Sequence, residues 1–315
     1  MDYSAARSLA ARIRENVGKV IVGKEREADL LLAALFARGH VLLEDVPGTG
    51  KTMLARAIAR SFDASFSRIQ FTPDILPSDI TGVSVFHPNS AEFEFRPGPV
   101  FTNILLADEI NRATPRAQSA LLEVMEESQV SADGTTRPIE PPFWVIATQN
   151  PVEIQGTFPL PEAQLDRFLM RVKLGYPSTE ESVRVLSRMA RGNPIAALEP
   201  VATRRDLLDA QLLSARVECS NEVLSYIVAL AERTRAAEGV QLGVSTRGAL
   251  ALTRAAQAYA AMQGRAFITP DDVQALAGVV FAHRIIVRGT YGRSGAAEAV
   301  VEEALRAVPV PREEI

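Results

Sequence analysis

The sequence predicts an α/β protein: a buried parallel sheet clad by helices on both faces, followed by a smaller all-helical unit. Three observations predict it. Short apolar runs without polar alternation recur through the first half, as in strands covered on both sides. Segments of helical period lie between these runs. After Tyr176-Pro177 the strand-like runs stop and helix-start patterns follow one another.

Along the chain, strands are expected at residues 40–43, 66–70, 104–107 and 143–147, with a short one at 169–174. Helices are expected at 24–38, 51–62 and 115–126. Two inserts interrupt the alternation. Val83 to Phe86 and Phe93 to Phe95 flank Pro88-Asn89-Ser90 and read as a hairpin. Gln129 to Ser131 and Thr135 to Ile139 flank Asp133-Gly134, a strong turn signal. Beyond Pro177, Ser178 and Glu181 make a capping-box pattern, and the chain breaks near Asn193-Pro194. Ser220 can cap a helix to about residue 235, and Ser245 one through Met262. Thr269-Pro270-Asp271-Asp272 sets a cap, a first-turn proline and two acids at another helix start. The expected division is 1–175 for the α/β core and 176–315 for the helical unit.

The bulk composition suits two packed units. The chain has 315 residues, 47% hydrophobic and 23% charged, an ordinary soluble composition with material for a sizeable core. A net charge of -4 and a pI near 5.6 argue against nucleic acid as the main partner, because duplex binders carry a basic surplus. One cysteine, Cys219, cannot form an internal disulfide, which fits a reducing compartment. Residues 1–15 read as a short helix carrying Arg7, Arg12 and Arg14, not as a leader. No apolar run approaches the roughly 18 residues of a spanning helix. The cytoplasm is the expected location, without membrane insertion. His40, His87, His283 and Cys219 have no metal-site spacing and read as structural.

The chemistry begins at Asp45-Val46-Pro47-Gly48-Thr49-Gly50-Lys51-Thr52-Met53, between a strand and an amphipathic helix. This is the setting of a phosphate-binding loop. Gly48 and Gly50 let backbone N–H groups close around a phosphate, and the helix N-terminus adds partial positive charge. Lys51 supplies a point charge for the β- and γ-phosphates, and Thr52 a hydroxyl for Mg²⁺. Pro47, Thr49 and Met53 complete the candidate contacts to ATP. Asp45 stands where the consensus has glycine, so its carboxylate is expected to point away from the triphosphate.

About 55 residues on, the apolar run Ile104-Leu105-Leu106-Ala107 ends in Asp108-Glu109. Carboxylates at the C-terminal end of a strand face the crevice where open α/β sheets bind ligands. Asp108 suits Mg²⁺ held through water, and Glu109 suits a general base for the attacking water. The plainer alternative, two solvated acids opening a helix, loses force behind a phosphate loop. A further apolar run, Val145-Ile146-Ala147, leads through Thr148-Gln149 to Asn150. That amide falls beside Asp108 if the strands are neighbours, and could orient the water (sensor 1).

Two arginines complete the set. Arg167 closes a short helix and is assigned to a neighbouring subunit's γ-phosphate, with Arg112 and Arg171 in reserve. Arg247 opens a helix of the second unit and is assigned to the chain's own γ-phosphate (sensor 2). As isolated residues, either would read as a surface ion pair.

These motifs occur in the order found in AAA+ ATPases. The run Asp108-Glu-Ile-Asn-Arg112, the stretch from Phe71 to Gly82, the stretch from Gly156 to Phe168, Thr269-Pro-Asp-Asp-Val273 and Ala282-His-Arg284 resemble the MoxR family over almost the whole chain. The resemblance implies an ASCE P-loop core with a central parallel sheet and a C-terminal all-α lid. It implies a helix-2 insert and a hairpin before sensor 1, matching the two hairpins above. It further implies homo-oligomeric rings, typically hexamers, with nucleotide at subunit interfaces. Chaperone-like or maturation activity alongside a von Willebrand factor A domain protein follows from it too. By the same resemblance Val22 and Gly23 would cradle adenine, while Thr246 stands where many relatives have proline. Two other readings share the nucleotide residues. A DNA-directed AAA+ motor or loader would want a basic hairpin tip, and Asp133-Gly-Thr-Thr-Arg137 is nearly neutral. A non-hydrolysing nucleotide switch would not need Glu109 or Arg167.

Overall fold

The computed structural model describes residues 2–46, 48–89, 91–151, 156–190, 192–289 and 295–311. Two helices precede the sheet. α1 (Ser4–Gly18) buries Leu9, Ala10, Ile13 and Val17 along one stripe, and α2 (Glu25–Phe36) is buried from Leu30 onward. Then come β1 (Val41–Glu44), α3 (Lys51–Arg60), the short β2 (Phe62–Asp63), β3 (Phe66–Gln70) and α4 (Pro77–Thr81). The first insert is the hairpin β4 (Gly82–His87) and β5 (Glu92–Pro97), with Phe86 opposite Phe93; its turn residue Ser90 lies outside the described residues. β6 (Ile104–Asp108) and α5 (Pro115–Glu127) lead to the second hairpin, β7 (Gln129–Ala132) and β8 (Thr135–Pro138). β9 (Trp144–Gln149), α6 (Glu162–Leu165) and β10 (Met170–Val172) complete the α/β part.

The sheet has five strands in the order β10-β1-β9-β6-β3, and every pairing is parallel. β1, β9 and β6 are interior, which explains their unalternated apolar sequences. Val41, Leu43, Leu106 and Ile146 join the core on one face, while Leu42, Leu105, Val145 and Ala147 join that on the other. Because the strands are parallel and adjacent, the residues after β1, β6 and β9 emerge along one edge of the sheet. The residues before β1 and β10 lie along the opposite edge.

The rest of the chain is mainly helical: α7 (Thr179–Met189), β11 (Ala202–Thr203), α8 (Arg204–Ser214), α9 (Asn221–Ala236), β12 (Val240–Leu242), α10 (Thr246–Met262), α11 (Pro270–Phe281), β13 (Ile286–Val287) and α12 (Ala296–Ala307). The caps form where the sequence has them. Ser178 Oγ accepts from the amide of Glu181, Ser220 Oγ from Val223 and Ser245 Oγ from Gly248, each at 3.3 Å. The expectation that strands vanish after Pro177 needs correction. β12 pairs with β13, and β11 runs parallel to β2 of the core. These strands are two or three residues long, too short for an apolar period to register. α8 also returns to the core, where Gln211 donates to the Leu35 carbonyl at 2.8 Å. The alanines of α10 (Ala255, Ala256, Ala258, Ala260 and Ala261) are fully buried and let it pack closely among α1, α2, α8, α9 and α11. No helix of the described residues is long and apolar enough to cross a membrane.

Candidate functional site

β1 delivers the chain to the sheet edge at Asp45. Gly48 and Gly50 then take φ of 83° and 91°, left-handed values that carry no steric penalty only in glycine. A Cβ on either would meet nothing within 4 Å, so backbone conformation, not crowding, requires glycine there. Open space beside a left-handed turn that enters a helix leaves the amides free to surround an anion. Pro47 lies outside the described residues. Thr49 is buried, with its hydroxyl on the Val46 carbonyl at 3.3 Å, and Met53 packs on the core.

Lys51 extends back across the loop. Its ammonium donates to the carbonyls of Asp45, Val46 and Gln149. Burial lowers its pKa, and the carboxylates of Asp45, Asp108, Glu109 and Glu44 oppose that shift. The Asp45 carboxylate divides its oxygens: Oδ1 accepts from the Val46 amide of the loop at 2.8 Å, and Oδ2 reaches out of it. Its Oδ2 accepts from the amides of Leu174 at 2.9 Å and Gly175 at 2.5 Å, beyond β10. The residue that departs from the loop consensus thereby ties the loop to the connection between sheet and helical region. Val22 is buried, and Gly23 lies so close to α7 that a Cβ would collide with the Glu181 carboxylate.

Asp108 ends β6 and is 6% exposed. Thr52 Oγ1 lies 3.3 Å from its Oδ2, which also receives Arg68 at 2.7 Å. Its other oxygen accepts from Thr148 Oγ1 at 2.6 Å. Glu109 has φ of 58°, a left-handed value for a residue with a side chain. Its amide donates to Thr148 Oγ1 at 2.9 Å. Its carboxylate accepts from Gln70 Nε2 at 2.7 Å and pairs with Arg112 Nε at 3.3 Å. Such backbone costs on the order of 1–3 kcal/mol and persists where surrounding bonds impose it. Asn150 is buried just past β9, and its carbonyl accepts from Asn111 Nδ2 at 3.2 Å.

Lys51, Thr52, Asp108 and Glu109 therefore meet at one edge. The sequence reading missed three side chains there. Thr148 bonds directly to Asp108. Arg68 and Gln70 reach the acids because β3 lies beside β6, with Gln70 opposite Asp108; strand order was the missing signal. A hydroxyl and a carboxylate oxygen converging beside a phosphate loop form a hard donor set. That set fits Mg²⁺, which keeps its waters and takes one or two protein oxygens beside a phosphate.

The arginines lie elsewhere. Arg167 Nη1 donates to the Leu122 carbonyl at 2.7 Å, and its Nη2 meets Glu126 Oε2 at 3.1 Å. Arg247 meets the other oxygen of Glu126 at 3.3 Å and Asp166 Oδ2 at 3.4 Å. They line a cavity together with Arg38, Gly39 and His40, the residues just before β1. This is the sheet edge opposite the phosphate loop, and the four residues of β1 alone separate the two by about 13 Å. Assigning Arg247 to the chain's own γ-phosphate is therefore corrected: the fold sets it beside Arg167. The sequence could not give this, because it does not fix where the helical region docks. The reserve candidate Arg171 pairs with Glu44 at 3.5 Å and Glu298 at 3.4 Å.

Comparison with known proteins adds to this geometry. A family model described as "ATPase family associated with various cellular activities (AAA)" matches residues 40–170, and an AAA lid domain model matches residues 232–304. An uncharacterized Bacillus subtilis protein, YeaC, is 52% identical over 96% of this chain and 95% of its own. The Mycobacterium tuberculosis protein named Chaperone MoxR1 is 39% identical over 98% of this chain and 85% of its own. A Cytophaga hutchinsonii protein, whose crystal structure was solved as that of a candidate ATPase, superposes with a TM-score of 0.90. It is 37% identical and covers 98% of this chain, which covers 97% of it.

Proposed function

Because the chain belongs to the MoxR family of AAA ATPases, and so binds and hydrolyses ATP, we propose that hydrolysis takes place between adjoining copies and drives chaperone-like remodelling of partner proteins. The proposal divides the chain into a nucleotide-binding core, 1–175, and a lid, 176–315. Gly48, Gly50 and the neighbouring amides hold the phosphates, with Pro47, Thr49 and Met53 beside them, and Lys51 leaves its three carbonyls for the β- and γ-oxygens. Val22 and Gly23 flank the adenine. Thr52 and Asp108 would hold Mg²⁺, which would neutralise charge on the phosphate oxygens when bound. Arg68 must yield Asp108 for that to happen. Glu109 takes the proton of the attacking water, and Thr148 and Asn150 orient its surroundings.

The observation that carries this reading is the division of the machinery between two edges of one sheet. Phosphate loop and acids occupy one edge, and the arginine pair the other. A guanidinium supplied in trans stabilises charge on the transferring phosphoryl group. We therefore assign both Arg167 and Arg247 to a neighbour's triphosphate. That arrangement calls for a closed ring of identical subunits, with a hexamer as the proposed size. The printed name of the mycobacterial relative supports a chaperone role. A von Willebrand factor A domain protein as partner and a cytoplasmic location belong to the same proposal. Against a DNA-directed motor stands the second hairpin: Arg137 is engaged by two carbonyls and the Phe95 ring, beside Asp133.

Mixed protomers test the reading. Lys51→Ala should lose nucleotide, and Glu109→Gln should bind ATP without releasing phosphate. Arg167→Ala should bind ATP but hydrolyse it at least about a hundredfold more slowly. Adding Lys51→Ala protomers, whose arginines are intact, should restore part of the rate. Normal hydrolysis by Arg167→Ala alone would sink the trans assignment, and DNA-stimulated turnover would favour the motor.

A further inference from the structure

Three arginines and two carboxylates alternate along the edge opposite the phosphate loop. Arg284 is the fixed end. It is 7% exposed and donates to the carbonyls of Phe168 at 2.7 Å and Leu169 at 3.3 Å, and its Nε meets Asp166 Oδ1 at 2.7 Å. Asp166 passes its second oxygen to Arg247. Glu126, in the last turn of α5, gives one oxygen to Arg247 and one to Arg167. Arg167 has a backbone anchor as well, but both of Arg247's bonds are to carboxylates. Its place beside Arg167 therefore depends on those two acids. Among the described residues, Glu126 alone joins a guanidinium of the α/β part to one carried by α10.

We infer that Glu126 is the positioning residue for the arginine pair, holding Arg167 and Arg247 side by side so that both reach one phosphate of a neighbouring copy. The inference rests on the trans reading above and adds a residue to it. Each arginine has five N–H donors and uses two here, so donors remain for phosphate oxygens while the carboxylate keeps its hold. The cavity alongside, of about 210 Å³, is also lined by Arg38 and Arg254. With five arginines against two acids, it stays electropositive with Glu126 in place. Without Glu126, Arg247 keeps a single 3.4 Å contact to Asp166, and an exposed side chain so held samples many rotamers.

The test reads the effect across the subunit boundary. Glu126→Ala should bind ATP at its own phosphate loop as the parent does, and lower kcat at least about tenfold through misplaced arginines. Titrating in Lys51→Ala protomers should raise turnover per Glu126→Ala protomer several-fold, because they present an ordered pair to its nucleotide. A merely structural role would not respond to mixing. Glu126→Gln keeps one carbonyl acceptor and should fall between parent and Glu126→Ala; it also serves if the alanine variant folds poorly. Parental kcat in both variants, or a loss that Lys51→Ala protomers do not repair, overturns the inference. Arg167→Ala run in parallel separates the layers: if it is rescued and Glu126→Ala is not, only the role of Glu126 falls, and if Arg167→Ala needs no rescue, the trans reading falls with it.

Discussion

His40 sits on the arginine edge, where it ties the start of β1 to β9 and to α5. Its Nδ1 accepts from the Val145 amide at 2.9 Å, so the ring proton sits on Nε2, which donates to the Met125 carbonyl at 3.0 Å. Burial lowers its pKa from 6.5 to about 4. The unfolded chain thus takes up this proton well before the folded one does. The contribution to stability is whole above pH 6.5 and is lost as the pH falls toward 4, amounting to about 2–3 kcal/mol. Urea unfolding at pH 7.5 and 4.5 should show the parent losing about that much more stability than His40→Asn. Equal losses would mean that His40 protonates freely in the folded state. His283 is shifted the same way, by burial first and then by the adjacent Arg284 charge.

At the scale of elements, the two hairpins act as one piece. Ser84 Oγ bonds to the Asp133 carboxylate, and Arg137 lies 3.9 Å over the Phe95 ring, which meets Phe101 edge-on at 5.8 Å. Further out, Phe86 and Phe93 pair at 5.2 Å and are 49% and 73% exposed. The two phenylalanines of β5 are therefore not equivalent: Phe95 packs against Arg137 and Phe101, and Phe93 stands exposed. Phe95→Ser should lower stability by about 1–2 kcal/mol, whereas Phe93→Ser should change it by less than about 0.5 kcal/mol. Thermal melts of both variants decide this. If Phe95→Ser melts with the parent, the second hairpin does not brace the first.

At the scale of the molecule, the helical region is not a loose appendage. α1, α2 and α3 share one continuous apolar cluster with α9, α10 and α11. A single copy therefore carries the arginine pair and the phosphate loop as fixed features of one body, facing opposite ways. Closing an active site within one copy would mean breaking that cluster, a cost that the trans assignment proposed above avoids. Specific ATPase activity should accordingly fall on dilution, tracking the loss of assembled species by light scattering. Constant activity down to the monomer would contradict the division of the site between copies.

The sequence by itself determined the parallel sheet, its strands to within a residue or two and the helix caps. It also located the glycine turn that opens α3 and the paired acids at the end of β6, because apolar period, cap chemistry and glycine conformation are local properties. Tertiary structure alone decided what depends on neighbours distant in the chain. β3 beside β6 brings Arg68 and Gln70 onto Asp108 and Glu109. Asp45 finds its partners at residues 174 and 175. Arg247 stands with Arg167, because the place where α10 docks is set by the fit of its buried alanines against helices far away in sequence, which no local pattern records.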